Sequence, residues 1–301
     1  MAEKLQKRAT LENVPCVSQK LRLKCSRCDA KATYDVGAIF HEQEGEGKSI
    51  RHHYAFTNYF RCRHCESAGP WEVADYIRLI GLTLRASVSK EFDGLYDGRL
   101  ALFDGTFIQT PAQGEEHLRK LLEKDPNNGF LCSRLGNLFR SCNQTAWAVE
   151  WYRKAVWLDA GDIESRHSLY VYAVQAGDLS EAVLHARRLV RDLLEGREAE
   201  KPELTEALAV AVVESLRGSP EEFRQCFSED YAKTPQAPDA IFIQSLLDAE
   251  GDEDEIIDDA VERILNGECA IAPQFNDDPN DLKKFRTARR SHHFLGRSRV
   301  G

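Results

Sequence analysis

Of the 301 residues, 42% are hydrophobic and 30% charged, which supplies enough apolar surface for packed cores and excludes wholesale disorder. The length exceeds what one core organises, so two or three units, or an array of repeats, are expected. A net charge of −9 conceals a basic head, an acidic body and a basic tail: Lys and Arg against Asp and Glu number 15 to 10 over residues 1–90, 18 to 39 over 91–282, and 7 to none over 283–301.

Residues 1–19 form an N-terminal extension with no apolar run suited to a signal peptide, and no later stretch is long and apolar enough to span a bilayer. The expectation is a cytoplasmic chain that does not enter a membrane. In that setting, two C-x-x-C pairs among nine cysteines favour a metal over disulfides. The odd residue Cys16 reads as a free thiol.

The pairs are Cys25 with Cys28, in LKCSRCDAKATYDV, and Cys62 with Cys65, in YFRCRHCESAGPWEV. Zinc takes four tetrahedral ligands, and a C-x-x-C turn aims two thiolates at one ion. Between the pairs, KATYDVGAIF and RHHYAFTNYF are rich in β-branched and aromatic residues and are separated by a polar, glycine-bearing loop. That pattern predicts a β-hairpin joining two metal-binding turns. So small a sheet buries little apolar surface, and the metal would supply folding free energy on the order of 10 kcal/mol. Lys24, Arg27, Arg61 and Arg63 flank the ligands and are expected to offset the thiolate charge. These residues resemble the zinc-ribbon family over about residues 20–72, although Asp29 and Glu66 stand where a glycine usually follows the second cysteine. The resemblance implies one structural Zn2+ on Cys25, Cys28, Cys62 and Cys65, a closed shell without an open position for chemistry.

Residues 73–93 read as a connecting helix, with Pro70 in its first turn. From residue 94 to 268 short helical segments alternate with turn clusters such as DPNN, DAGD and QAGD. A self-similarity with a period of 34 residues aligns Gly114 with Ala148 and Ala182, Leu118 with Tyr152 and Ala186, Leu135 with Leu169, and Ala155 with Leu189. Small residues at 114, 148 and 182 suit the close approach of two helices. Residues 130–162 resemble the tetratricopeptide repeat family: Leu135 and Gly136 match its Leu-Gly, and Phe139, Ala148, Tyr152 and Ala155 match its aromatic and small positions. Ala160 stands where the family has proline. The resemblance implies a mainly α chain, a short α-solenoid of four to five helical hairpins behind a small β zinc ribbon. It also implies a groove for a protein or peptide partner lined by the first helix of each hairpin, here Phe130, Ser133, Asn137 and Arg140, then Glu164, His167 and Val171.

Cys132, Cys142 and Cys226 read as small buried residues, Trp147, Trp151 and Trp157 as packing residues, and GDEDEIIDD as a solvated helix start. Nothing matches a Ser-His-Asp set, a phosphate-binding glycine loop or a paired-carboxylate site, so no catalytic residue is expected. The leading expectation is an adaptor without enzymatic activity that holds a protein partner through its repeats, with the ribbon as a second contact surface. An alternative is a nucleic-acid-associated ribbon, because Arg51, His52, His53, Tyr54, Phe56, Tyr59, Phe60 and Arg61 interleave basic and aromatic side chains. The basic tail, 269–301, is expected either to be loose or to fold back on the acidic body.

Overall fold

The computed structural model describes residues 17–45, 50–88, 94–199 and 202–269. Cys16 and the basic tail beyond Cys269 lie outside the described residues. The fold is mainly α, with a β-rich N-terminal part. The chain divides into two compact units, Met1–Leu158 and Asp159–Gly301, so the boundary falls inside the stretch read above as one helical array.

In the first unit β1 (Lys20–Cys25) alternates strictly, burying Leu21, Leu23 and Cys25. It lies between β2 (Lys31–Asp35) and β5 (Trp71–Val73), antiparallel to both. A second sheet has the order β4 (Arg51–Phe56), β3 (Ile39–Glu44), β6 (Leu95–Asp97), with β4 antiparallel and β6 parallel to β3. The expected hairpin between the cysteine pairs is therefore β3–β4 alone. KATYDVGAIF does not run as one strand but breaks at Gly37, whose φ of 68° lies in the left-handed region. A side chain there would collide with Thr57 Oγ1, which instead accepts a hydrogen bond from the Ala38 amide at 2.8 Å. Glycine thus lets the chain leave one sheet and enter the other.

Pro70 does not open a helix. Trp71 and Val73 are buried on alternate positions of β5, and the Ser26 amide donates to the Pro70 carbonyl. The helix that follows, α1 (Tyr76–Val88), starts six residues later. Two further strands, β7 (Leu100–Ala101) and β8 (Phe107–Ile108), pair antiparallel. They precede α2 (Pro111–Lys124), α3 (Gly129–Ser141) and α4 (Thr145–Leu158).

The second unit holds α5 (Ile163–Ala176), α6 (Leu179–Leu194), α7 (Pro202–Arg217), α8 (Glu221–Tyr231), α9 (Pro238–Asp248) and α10 (Glu253–Leu265). The 34-residue step is visible in the element starts: α2, α4 and α6 begin at Pro111, Thr145 and Leu179, and α3 and α5 at Gly129 and Ile163. Thr110, Asn128, Asp162 and Asp178 cap four of these helices by accepting from the backbone N–H three residues on. One step before α3 lie residues 95–107, which form β6, β7 and the start of β8 rather than a helix. The two Asp-Gly turns, Asp97-Gly98 and Asp104-Gly105, explain this, since both glycines take positive φ and break any helical run into short strands.

In α3 and α4 the aligned positions are the packed ones. Leu135, Ala148, Tyr152 and Ala155 are fully buried, and the Tyr152 ring lies over Gly136, where a Cβ would stand 2.5 Å from ring carbons. Tyr152 also donates to Asn137 Oδ1 at 2.6 Å. In the second unit the helices gather around α6, which packs against α5, α7, α8, α9 and α10. The expected later hairpins pair differently, α7 lying against α10. One cause is Asp239 at the start of α9, fully buried and held by Arg187 at 2.6 Å and Arg191 at 3.1 Å from α6. A carboxylate buried there without those guanidinium groups would be strongly unfavourable, so α9 is tied to α6. Cys132 and Cys142 are buried and Cys226 packs against the second unit's core, whereas Trp157 is 79% exposed and does not pack as expected.

Gly136→Ala and Ala148→Leu should each destabilise the first unit by about 1–3 kcal/mol through overpacking against Tyr152 and its neighbours. Glu150→Ala, at an exposed position of α4, should change stability by less than about 0.5 kcal/mol. Urea denaturation of the three variants checks the contrast.

Candidate metal centre

Each cysteine pair sits in a turn held by the same two backbone hydrogen bonds. In the first, Asp29 N–H donates to the Cys25 carbonyl at 2.9 Å and Cys25 N–H to the Ala30 carbonyl at 3.0 Å. In the second, Glu66 N–H donates to the Cys62 carbonyl at 2.8 Å and Cys62 N–H to the Ser67 carbonyl at 2.9 Å. Both turns need a left-handed residue after the second cysteine, and Asp29 and Glu66 adopt it, at φ 59° and 57°. The acidic residues therefore stand in for glycine without altering the turn, at some conformational cost.

The two turns bring four sulfurs together. Cys25 Sγ lies 3.8 Å from Cys65 Sγ, and Cys28 Sγ 3.6 Å from Cys62 Sγ. All four lie within 4.8 Å of one another. Four sulfurs at about 2.3 Å from a tetrahedral ion would stand about 3.8 Å apart, so the donor set fits a metal ion in both chemistry and spacing. Among the described residues, His41, His52, His53 and His64 are not part of this group. Partial burial opposes ionisation of Cys62, but the N–H groups of Cys65 and His64 point at its sulfur and hold its thiol down to about 6. The Ala30 N–H favours the Cys28 thiolate, yet partial burial and the three neighbouring sulfurs override it and push that thiol up to about 12. Crowded thiols cannot all ionise on their own, and a cation among them removes that obstacle.

The basic residues expected to offset the thiolates are largely engaged elsewhere. Lys24 pairs with Asp29 at 2.8 Å and reaches Glu72 at 3.4 Å. The Arg63 guanidinium lies 5.3 Å from the centre of the Tyr34 ring. Arg61 reaches onto α2, bonding Glu115 at 2.9 Å and Glu116 at 2.8 Å. Tyr59 donates to the same Glu115 carboxylate at 2.6 Å, and Arg119 holds its other oxygen at 2.8 Å. Thr110, the cap of α2, also donates to the Ala68 carbonyl at 3.2 Å. The second cysteine turn is thus bonded to α2, which the sequence pattern assigns to a separate helical domain.

Compared with protein-family models and with curated protein sequences, the chain matches none. The geometry alone therefore carries the reading. No described helix is long and apolar enough to cross a membrane.

The residues expected to line a partner groove fall in both units. In the first, Ser133 is buried, Asn137 accepts from Tyr152, and Phe130 packs edge-on against Phe103 beneath the Arg134 guanidinium, while Arg140 is exposed. In the second, His167 Nε2 lies 3.4 Å from Ser215 Oγ, Val171 packs against the core and Glu164 is half-buried. The basic and aromatic run is only partly open: Phe56 is buried, Phe60 packs against Tyr34 and Trp71, and His53 pairs with Glu44 at 2.8 Å, while His52 and Tyr54 stack with His41 at the surface.

Burial opposes the charge of Glu115, but the hydrogen bonds from Tyr59, Arg61 and Arg119 outweigh it and hold the carboxyl below its ordinary range. Its contribution should be complete above the unfolded carboxylate value of about 4.3 and should fade as pH falls through the lowered folded value. Glu115→Gln should cost about 1–3 kcal/mol at pH 7 and flatten the acid limb of the stability profile, as followed by urea denaturation between pH 7 and 3.

Proposed function

We propose that this chain is a non-enzymatic adaptor that holds a protein or peptide partner, with one structural Zn2+ on Cys25, Cys28, Cys62 and Cys65. The observation that carries the zinc assignment is the convergence of four sulfurs with spacings near those of a tetrahedral thiolate shell. Four thiolates from two C-x-x-C turns are a donor set that suits zinc, and they leave no position for a water or substrate, so the ion would act on the fold and not on a reaction.

The adaptor reading draws on the helices. Their 34-residue step and the burial of its aligned positions are what a tetratricopeptide-like array requires, and such arrays expose helix faces to partners. The nucleic-acid reading is weakened by the basic and aromatic run itself, since Arg61, Tyr59, Phe56 and His53 are all engaged within the protein. A cytoplasmic setting belongs to this proposal, because free thiols in such a cluster persist where the environment is reducing.

Elemental analysis should find about one zinc per chain. Cys62→Ser should lose the metal and the protection of β1–β5, while the helices of the second unit retain their signal. A metal-free protein whose first unit stays fully folded would overturn the zinc assignment. Binding of the full chain to a partner isolated by affinity capture and then purified should survive 0.5 M salt, and binding to DNA or RNA should be negligible at 0.15 M; the reverse order would favour the nucleic-acid reading.

A further inference from the structure

Three strand edges in the first unit border one cleft of about 360 Å3, lined among others by His52, Tyr54, Val73, Tyr76, Arg99 and Phe107. Which backbone groups face it follows from the ladders. On β3, the Ile39 amide bonds Gly94 and the His41 carbonyl accepts from Gly98, so those two residues face β6. Phe40, Glu42 and Glu44 therefore face β4, where their partners are Ala55, His53 and Arg51. The alternation leaves His52, Tyr54 and Phe56 of β4 facing outward. Phe56 N–H is taken by the Gln109 carbonyl at 2.7 Å, whereas among the described residues the amides and carbonyls of His52 and Tyr54 bond no other strand.

The same holds on the other two edges. On β5, Ala74 bonds Arg22 and the Pro70 carbonyl accepts from Ser26, so Trp71 and Val73 face away from β1. On β8, the bond from Leu102 N–H to the Thr106 carbonyl turns Phe107 outward. Trp71 shows what this environment accepts: the Gln109 side-chain amide accepts from its N–H at 2.8 Å and donates to its carbonyl at 3.1 Å. That is the pair of bonds a neighbouring strand would make, supplied by a side chain.

The walls specify the visitor's character. Tyr76 and Phe107 are 59% and 61% exposed at the cleft, and His52 and Tyr54 present flat rings stacked with His41. The cations around the cleft are already engaged: Arg99 pairs with Glu42 and with Glu44, and Lys24 is shared between Glu72 and Asp29. These pairs leave no excess of positive charge to attract an anionic ligand.

We propose that this cleft docks an extended segment of a partner protein, which adds as a strand along the free edge of β4 and carries uncharged apolar side chains at alternate positions. Main-chain bonds to His52 and Tyr54 supply the pairing, and the aromatic walls select the side chains. The proposal rests on the adaptor reading in that the partner is a protein, but it places the contact on the strands and not on the helices.

The test is selection of phage-displayed random nonapeptides on the full chain. Enriched sequences should alternate apolar residues, and a synthetic copy of the most enriched one should slow amide exchange at His52 and Tyr54. N-methylating its alternate amides should weaken binding about tenfold, the loss of one or two hydrogen bonds. Tyr54→Pro, which removes one outward donor at an edge position where proline is tolerated, should do the same. No enrichment, or binding indifferent to N-methylation, overturns the proposal. Protection confined to α3–α6 would overturn it while leaving the adaptor reading in place. Self-association of the chain that protects His52 and Tyr54 would make a second copy the occupant and overturn it too.

Discussion

The first unit is organised around the convergence of two cysteine pairs. Four sulfurs lie within 4.8 Å of one another, and backbone amides aimed at Cys28 and Cys62 favour the thiolate form there, whereas the neighbouring sulfurs oppose it at Cys28. The cluster could hold a metal ion, which would bind the thiolates together and add to the stability of the short strands around it. The ligands come from the end of β1 and from the loop that leads into β5, two strands that are direct neighbours. Bringing the two cysteine pairs together and pairing those strands therefore make the same demand on the chain.

From this centre the order spreads by polar contacts more than by apolar ones. Arg61 and Tyr59 carry it from the second turn to Glu115 on α2, and Thr110 carries it from Ala68 to the same helix. Tyr59 also packs against Phe139 and Trp147, which belong to α3 and α4. A carboxylate as buried as Glu115 is tolerable only because three donors satisfy it. The second unit follows another plan, a core of Phe223, Phe227, Phe242 and aliphatic residues around α6, with buried Asp239 as its polar fastening.

Much of this was legible in the sequence. The paired cysteines, the turn clusters and the 34-residue spacing act over short distances, and their geometry follows from residue type and interval alone. The failures lie where a short segment's partner is far along the chain. PWEV reads as the start of a helix until Trp71 and Val73 find β1, nearly 50 residues earlier. KATYDVGAIF reads as one strand until Gly37 is seen to join two sheets. The strands at 95–108 had a local signal, the repeated Asp-Gly, that the helical period overshadowed. The basic flank of the cysteines was visible, but nothing near Arg61 in sequence discloses that its partners are Glu115 and Glu116.

The unit boundary between Leu158 and Asp159 falls between two successive copies of the 34-residue interval. The interval is thus a unit of spacing but not of folding: α3–α4 belong with the β structure that carries the four cysteines, and α5–α6 with a helical bundle. Two segments of like spacing answer to different neighbours. A mutation at matching positions, such as Tyr152 and Ala186, is consequently judged by two unrelated environments, so a side chain that fits one copy need not fit the other.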